Sequence, residues 1–556
     1  MALKIATLNQ KAKLTAKITC ILNYLMGSYV SLPPVKMSVL TTTTRRLVLM
    51  IAAWLTCFQL QAQTDTIRQL YPTPKREFRG VWVATVTNID WPSAPRLTAD
   101  KQKTELVNIF NYHEQAGINA VMFQVRPAAD AFYAKSREPW SRWLNGAQGV
   151  APSEFYDPLE FAVNEAHKRG MELHAWFNPY RATMDNNPNS VSTQHVTRMH
   201  PDWFITYGGR KLFNPGLPDV REYIIQVILD VVKNYDVDGI HMDDYFYPYP
   251  ISGQRINDQE AWKKYGEAEW EDIKDWRRNN VDTLIQALSD SIHKYKPHMK
   301  FGLSPFGIWK NASQDDEGSA TSGGSSYYEQ FADSRRWVEE GWVDYINPQI
   351  YWQFGNRAAA FEKLTNWWSN NSFNRHLYIG MAAYRIGEVR NSAFKNPDQI
   401  PAQIRYLRNN PRIQGSVYFS SASLRRNYGG LNDSLKNHYY KTPALPPVML
   451  WLDSIAPNAP RQLTVGALQK GFQLNWLTPL LAKDKELVYG YVVYRFFEGE
   501  RIDTSDPTHI IHIQYGPLNS YEDTTAERGK RYVYMVTAID RLKNESDPVG
   551  VPAYSR

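Results

Sequence analysis

The sequence predicts an α/β fold, a (β/α)8 TIM barrel, followed by a small all-β sandwich. Three observations carry this expectation. Strand-like and helix-like segments alternate eight times between residues 75 and 440, which argues a parallel sheet with a helix after each strand. The connections after the strand C-termini are long and rich in aromatics and Asn while those on the other side are short, so one face of the barrel is elaborated. From about Tyr439 the helical period gives way to alternation with period two, the pattern of half-buried strands. An open doubly wound sheet is the competing arrangement, but no G-x-G-x-x-G or Walker-type loop follows any strand.

Residues 1–62 read as a leader. Arg45-Arg46 precede an apolar run from Leu47 to Phe58, and Gln59-Leu60-Gln61-Ala62-Gln63 follows it. That run is too short to span a bilayer and suits a secretory signal peptide cut after Ala62, with Met37 as the natural start. The predicted location is therefore outside the cytoplasm: periplasmic, envelope-associated or secreted. The only cysteines, Cys20 and Cys57, lie in this leader, so the exported chain has no disulfide and no Cys-based metal site. Lipid attachment at Cys57 is the other reading, disfavoured by the Trp54-Leu55-Thr56 before it. No other stretch is long and apolar enough to cross a membrane. The leader also holds seven of the 63 Lys and Arg residues and no acid, so the remaining chain balances 56 basic against 56 acidic residues. A formally neutral chain gives no ground for nucleic acid or an anionic membrane as partner. With 18 Trp and 34 Tyr, the composition suits either large cores or a carbohydrate site, where sugar faces stack on rings.

The predicted strands are Arg79–Val86, Ala120–Arg126, Glu172–Asn178, Gly239–Asp243, Lys300–Phe306, Asp344–Tyr351, Leu377–Tyr384 and Gly415–Ser420. Helical periodicity falls at Asp100–Ala116, Pro158–Arg169, Val220–Tyr235, Trp270–Lys294, Asp333–Glu340, Ala358–Ser369, Pro397–Asn409 and Leu431–Lys436. Gly117, Gly170 and Gly341 sit just past helices, where a residue at positive φ ends the last turn. Residues 441–458 form a Pro-rich linker. In 459–556, Trp476 and the alternation Tyr532, Tyr534, Val536, Ala538 resemble a fibronectin type III sandwich, with Tyr532 placed like the tyrosine-corner residue. That resemblance implies a spacer, or a module that docks to the barrel or to another envelope component, with Trp476 in its core.

Side chains alternate between the two faces of a strand. Val81 and Val83 outward leave Trp82 inward; Val121, Phe123 and Val125 outward leave Gln124 and Arg126 inward; Leu173, Ala175 and Phe177 outward leave His174, Trp176 and Asn178 inward. The same count brings in His241, Asp243, Ser304, Asn347, Gln349, Tyr351, Tyr384, Tyr418 and Ser420. A purely structural barrel interior is filled with branched aliphatics. A ring of polar and aromatic residues at the strand ends is a binding site.

Glycosidic hydrolysis needs two carboxyls, one to protonate the leaving oxygen and one as nucleophile or base. Asp243 is the leading candidate, inward at a strand end. Asp244 faces the other way by strand period, unless the chain has already turned into the loop. Asp130, Glu138 and Glu388 lie on neighbouring loops; an apolar wall such as Trp140 would raise the pKa of Glu138 and favour it as the acid. His174 and His241 lack H-x-x-x-H or H-E-x-x-H spacing, and no G-x-S-x-G elbow surrounds Ser304. Neither a metal nor a cofactor is expected.

Phe78-Arg-Gly-Val-Trp-Val-Ala84, Gln124-Val-Arg-Pro127, Trp176-Phe-Asn-Pro-Tyr-Arg181, Phe213-Asn-Pro-Gly216, Gly239-Ile-His-Met-Asp-Asp-Tyr245 and Asn347-Pro-Gln-Ile-Tyr-Trp352 resemble the bacterial glycosyl-hydrolase-like family ten, over roughly Lys75 to Lys436. The resemblance implies a TIM-barrel glycosidase, and the family's envelope members look like hydrolases of peptidoglycan strands lacking stem peptides. The strand-four motif also resembles that of alpha-amylase-type enzymes, whose Asp is the nucleophile. Their acid, a Glu at the end of strand five, has no counterpart in Leu303-Ser-Pro-Phe306. On this reading Asp243 is nucleophile or charge stabiliser, and Glu138 or Asp130, with Asp244 as a further candidate, is proton donor. Arg126, Asn178, Arg181, His241 and Gln349 bind sugar hydroxyls or N-acetyl groups. Trp82, Trp140, Trp176, Tyr180, Tyr245, Trp309, Tyr351, Trp352, Tyr384 and Tyr418 form the walls. The alternatives are a non-catalytic carbohydrate-binding barrel and a hydrolase of alpha-glucan or another polysaccharide.

Overall fold

The computed structural model describes residues 73–388 and 392–554. The leader, with the expected cut after Ala62, the Met37 start and Cys57, lies outside them. Eight parallel strands close into a barrel: β1 (Phe78–Val83), β2 (Ala120–Arg126), β3 (Glu172–Phe177), β4 (Gly239–Met242), β5 (Lys300–Leu303), β6 (Tyr345–Ile346), β7 (His376–Met381) and β8 (Gly415–Tyr418). β1 pairs with both β2 and β8, so no edge is left open.

The helices form as their periodicity dictates. Helix α1 (Ala99–Gln115) starts at the Thr98 cap, whose hydroxyl accepts from the Lys101 amide, and buries Leu106, Ile109, Phe110 and His113 on one face. Helix α2 (Pro158–His167) has Asp157 as cap and Pro158 in its first turn. Next come α3 (Pro218–Asn234), α4 (Ile273–Tyr295), α5 (Ser334–Glu339), α6 (Phe361–Asn370), α7 (Gln399–Arg408) and the single turn α8 (Leu431–Ser434). Gly117, Gly170 and Gly341 all take positive φ, at 74°, 63° and 70°. Between β3 and α3, where the sequence predicts only loop, the chain forms a hairpin, Phe204–Tyr207 with Arg210–Phe213. Its turn is Gly208-Gly209, both at positive φ, the two-residue chemistry that favours a hairpin.

Outside the strands, Val81, Val83, Val121, Phe123, Leu173, Ala175 and Phe177 pack against the helices. Inside, Phe78, Trp82, Met122, Trp176, Tyr345, Tyr378 and Val417 form a separate aromatic core, with the Phe78 and Tyr378 rings stacked 4.0 Å apart. At its N-terminal end the barrel is charged: Lys300 Nζ lies 2.6 Å from Glu172, both buried.

The C-terminal region is an all-β domain of two antiparallel sheets. One holds Arg461–Ala467, Phe472–Leu477 and Ser520–Asp523; the other holds Gly490–Phe497, Ile510–Tyr515, Arg531–Ile539 and Val549–Tyr554. Trp476 sits in its core with Leu474, Tyr491 and Tyr534. The Tyr532 hydroxyl accepts from the Glu527 amide at 3.0 Å. The turn that follows Ile539 carries Leu542 into the inner barrel core and Lys543 to Glu172, at 3.0 Å. Lys543 takes φ 68° there. Burial opposes the Glu172 charge, and Lys300 and Lys543 more than offset it, holding the carboxyl well below its usual range.

Removing one partner of a buried charge cluster strands the others without solvent. Lys543→Ala is expected to cost about 3 kcal/mol in urea unfolding. Glu498→Ala, which breaks the exposed pair with Arg531, should move stability by less than about 1 kcal/mol.

Candidate active site

The C-terminal ends of the strands meet around a cavity of about 250 Å³. Its floor and walls come from nearly every strand end: Trp82, Gln124 and Trp176 from β1 to β3, Asp243 and Asp244 just past β4, and Ser304 just past β5. Gln349 and Tyr351 follow β6, Tyr384 follows β7 and Phe419 follows β8, with Arg181 and Tyr245 at the rim. β4 ends at Met242, not at Asp243. The chain has therefore turned by Asp244, and the expectation that strand period sends Asp244 away from the site is corrected: both carboxyls line one cleft.

Asp243 is buried, with Trp176 Nε1 donating to Oδ2 at 3.1 Å and Asn178 Nδ2 lying 3.3 Å from both oxygens. Burial pushes its pKa up to about 7; Arg181 works against this and the Asp244 charge adds to it. Asp244 accepts from the Tyr249 hydroxyl and from the Gln349 amide, which also donates to Ser304 O at 2.8 Å. Its pKa too is raised by burial, against those hydrogen bonds. Arg181 lies over the Tyr245 ring, 4.5 Å from the centroid. Asn178 Oδ1 accepts the Arg181 backbone amide at 2.9 Å, so one Asn side chain fixes both the acid and the loop that brings the cation.

Beneath the floor, a hydrogen-bond chain has only one consistent direction. The Trp82 indole can only donate, so His241 Nε2, 3.3 Å away, accepts and His241 Nδ1 carries the proton. Nδ1 then donates to the Tyr345 hydroxyl at 3.0 Å, which donates to His174 Nδ1 at 2.9 Å. His174 Nε2 is left to donate to Glu172 at 3.2 Å. Burial drives the His241 pKa well below its usual value, so the ring is neutral. His241 supports the floor and does not line the cleft; its nitrogens, and those of His174, are committed to this chain.

The structure brings Asp243, Asp244, Trp82, Trp176, Arg181, Tyr245, Gln349, Tyr351 and Tyr384 together at the cleft, with Asn178 behind Asp243. Other expected site residues lie elsewhere. The β2–β3 register slips between Gln124 and Arg126, so Arg126 pairs with the outward Phe177. Arg126 therefore leaves the barrel interior, lies over the Phe213 ring and grips Glu138 with two hydrogen bonds of 2.6 and 2.7 Å. The Tyr223 hydroxyl closes that pair off at 3.2 Å, so neither Glu138 as acid nor Arg126 as sugar ligand reaches the cleft. Asp130 lines a separate small cavity with Arg142 and Thr183, and burial raises its pKa to about 6.

Trp140 meets Phe155 edge-on in the loop after β2. Trp309 is buried, donates to Asp333 at 2.8 Å and stacks on Trp367. Trp352 packs against Phe306, next to Tyr351 but outside the lining. Tyr180 lines a neighbouring cavity of about 190 Å³ that shares Arg181 and Tyr245 with the cleft. Tyr418 faces outward and pairs its hydroxyl with Tyr440 at 2.7 Å. Gly80 pairs with Val417, so on β8 the inward residues are Val417 and, beyond the strand, Phe419, opposite in parity to the Tyr418 and Ser420 expected. Ala84, Val86, Ile89 and Phe419 in the lining, and Tyr249 behind Asp244, are the residues that sequence reasoning missed. Tyr249 stood in a loop marked as aromatic, whereas nothing in Gly415-Ser-Val-Tyr-Phe-Ser420 distinguishes one face from the other.

The chain is similar to several known proteins. Glycosyl hydrolase YngK of Bacillus subtilis is 44% identical over 498 residues, 88% of this chain and 94% of that protein. Glycosyl hydrolase DigH of Escherichia coli K12 is 42% identical over 328 residues, 56% of this chain and 74% of that protein. Among solved structures, the PgaB (BpsB) glycoside hydrolase domain of Bordetella bronchiseptica is 14% identical, with a TM-score of 0.42 over 65% of this chain and 99% of that one. The profile of one family, glycosyl hydrolase-like 10, matches residues 77–396, which hold seven of the eight barrel strands and both cleft carboxyls, and the chain belongs to that family.

Proposed function

We propose that the protein is an exported glycoside hydrolase that cleaves glycosidic bonds in bacterial cell-wall glycan, with peptidoglycan strands as the substrate. The observation that carries this reading is Asp243: a buried carboxyl, poised near neutrality, in a cleft walled by Trp82, Trp176, Tyr245, Tyr351 and Tyr384. A group with a pKa of about 7 is protonated in much of the population at neutral pH, which suits a proton donor to a leaving oxygen better than the nucleophile the sequence suggested. Asp244 shares the cleft as the second carboxyl. The aromatic walls offer stacking surfaces to sugar rings, and Arg181 and Gln349 supply hydrogen-bonding groups. Export rests on the Arg45-Arg46 and Leu47–Phe58 signal pattern. Cell-wall glycan as substrate is supported by the family resemblance and by that export signal.

Purified glycan strands test the proposal through product release. Asp243→Asn is expected to lower turnover by about 10²-fold or more while strand binding is kept. Binding by the wild-type protein without cleavage of any glycan would make the barrel a carbohydrate-binding module instead.

The pH dependence follows from the direction of the shift. The active form is the protonated one, so kcat/KM limited by Asp243 should hold below pH 7 and fall above it. The folded pKa of Asp243 exceeds its ordinary 3.8, so the folded state binds the proton more tightly. The stability this group contributes is full below about 3.8 and is lost as pH rises toward about 7. Asp243→Asn, uncharged throughout, should therefore raise Tm at pH 8 even as it lowers turnover.

Glu138→Gln separates the two acids the sequence put forward. Leaving Arg126 buried without its partner should cost about 3 kcal/mol in unfolding experiments, with turnover of the folded protein retained.

A further inference from the structure

Four other acids near the mouth are engaged away from the cleft. Asp90 accepts from the Ala84 and Ala422 amides and from Ser420. Glu388 pairs with Arg385 at 2.9 Å, Glu138 with Arg126, and Asp130 faces its own small cavity. Among the described residues, only Asp243 and Asp244 line the cleft as carboxyls. They are consecutive in the chain and come from one wall, just past β4. The walls contributed by β7, β8 and β1 are Tyr384, Phe419 and Trp82.

This arrangement constrains the chemistry. A double-displacement glycosidase holds a carboxylate beneath the sugar and another beside the leaving oxygen, about 5 Å apart across the scissile bond, and an inverting enzyme holds them farther apart with water between. Among the described residues no carboxyl lines the walls from β7, β8 and β1, opposite the acid pair, to serve the far side of a sugar. A nucleophile supplied by the substrate itself removes that need. Two features of the cleft fit a 2-acetamido group in that role. Trp82, Ala84 and Trp176 form an apolar floor beside the acid pair, suited to an acetyl methyl. Tyr245 and Tyr351 line the same cleft, and their hydroxyls can donate to an acetyl oxygen.

We propose that the cleft cleaves the bond of an N-acetylhexosamine by substrate-assisted catalysis, with Asp243 as proton donor and Asp244 holding the acetamido N–H. This rests on the glycosidase reading above and narrows it to sugars that carry a 2-acetamido group on the side of the bond where C1 reacts. In the first step the acetamido oxygen forms a bond to C1 of its own sugar. The C1–O bond to the leaving sugar breaks, its electron pair goes to that oxygen, and the Asp243 proton follows. The resulting oxazolinium is stabilised by the Asp244 carboxylate at its N–H. In the second step Asp243, now ionised, takes a proton from water as the water oxygen bonds to C1. The ring C1–O bond breaks and its electrons return to the acetamide. The net change is addition of water across the glycosidic bond, with retention at C1 and Asp243 reprotonated.

The test uses the wild-type, full-length protein on two preparations of the same glycan strands, one N-acetylated and one chemically de-N-acetylated. De-N-acetylated strands should be cleaved at least about 10²-fold more slowly, NMR of the first product should show the retained anomer, and an N-acetylglucosamine thiazoline, a stable mimic of the oxazoline, should inhibit competitively. Asp244→Asn should lower kcat on N-acetylated strands and weaken inhibition by the thiazoline. Equal cleavage of both preparations, or an inverted product, overturns this inference and leaves the glycosidase reading standing. No cleavage of either preparation overturns both.

Discussion

Two carboxyls share one buried cleft, and like charges in a poorly solvated space resist ionising together. Asp243 and Asp244 are in that position, and much of the surrounding structure sets which of them carries the proton. Burial raises both. Trp176 and Asn178 donate to Asp243, Tyr249 and Gln349 to Asp244, and Arg181 opposes the rise at each. The donors come from β3 and the loops after β4 and β6. The protonation state of the pair is thus a property of the barrel mouth as a whole, not of one loop.

The layers beneath keep that mouth in place. From the N-terminal end upward the interior passes from charge, Glu172 with Lys300 and Lys543, through the ring stack of Phe78, Tyr345 and Tyr378, to the indoles of the floor. The hydrogen-bond chain from Trp82 through His241, Tyr345 and His174 to Glu172 runs through all three layers. Its lower end is closed by Lys543 of the all-β domain. The orientation of the cleft floor and the packing of the C-terminal domain are therefore joined by continuous contacts, in the way that supporting residues hold a functional group in place.

The barrel was legible because periodicity reports burial, and burial is what closes eight parallel strands. All eight predicted strands fall on barrel strands, most running a few residues past the observed C-terminal end. β6 shrinks to Tyr345–Ile346, because the chain leaves the ladder early to form the mouth. Asp243, Trp82, Trp176 and Tyr351 were legible by face. Errors arose where parity alone cannot decide. A single bulge in β2 turned Arg126 away and gave Glu138 its partner. On β8 both faces carry an aromatic, so Tyr418 and Phe419 could be exchanged without violating any rule of alternation. Trp140 and Trp309 show the limit of composition: an aromatic in a mouth-side loop serves the outer core as readily as a sugar.

The proposed chemistry requires Asp243 to hold its proton near neutrality while a second acid lies beside it. Site-specific carbon-13 labelling of the Asp side chains, with Asp243→Asn to assign the resonance, would follow the titration of this carboxyl directly. The expected midpoint lies near pH 7 and moves down when Asp244 is replaced by Asn, since the neighbouring charge is then gone. An Asp243 resonance that titrates near the ordinary value of 3.8, or that ignores the Asp244 substitution, would contradict it.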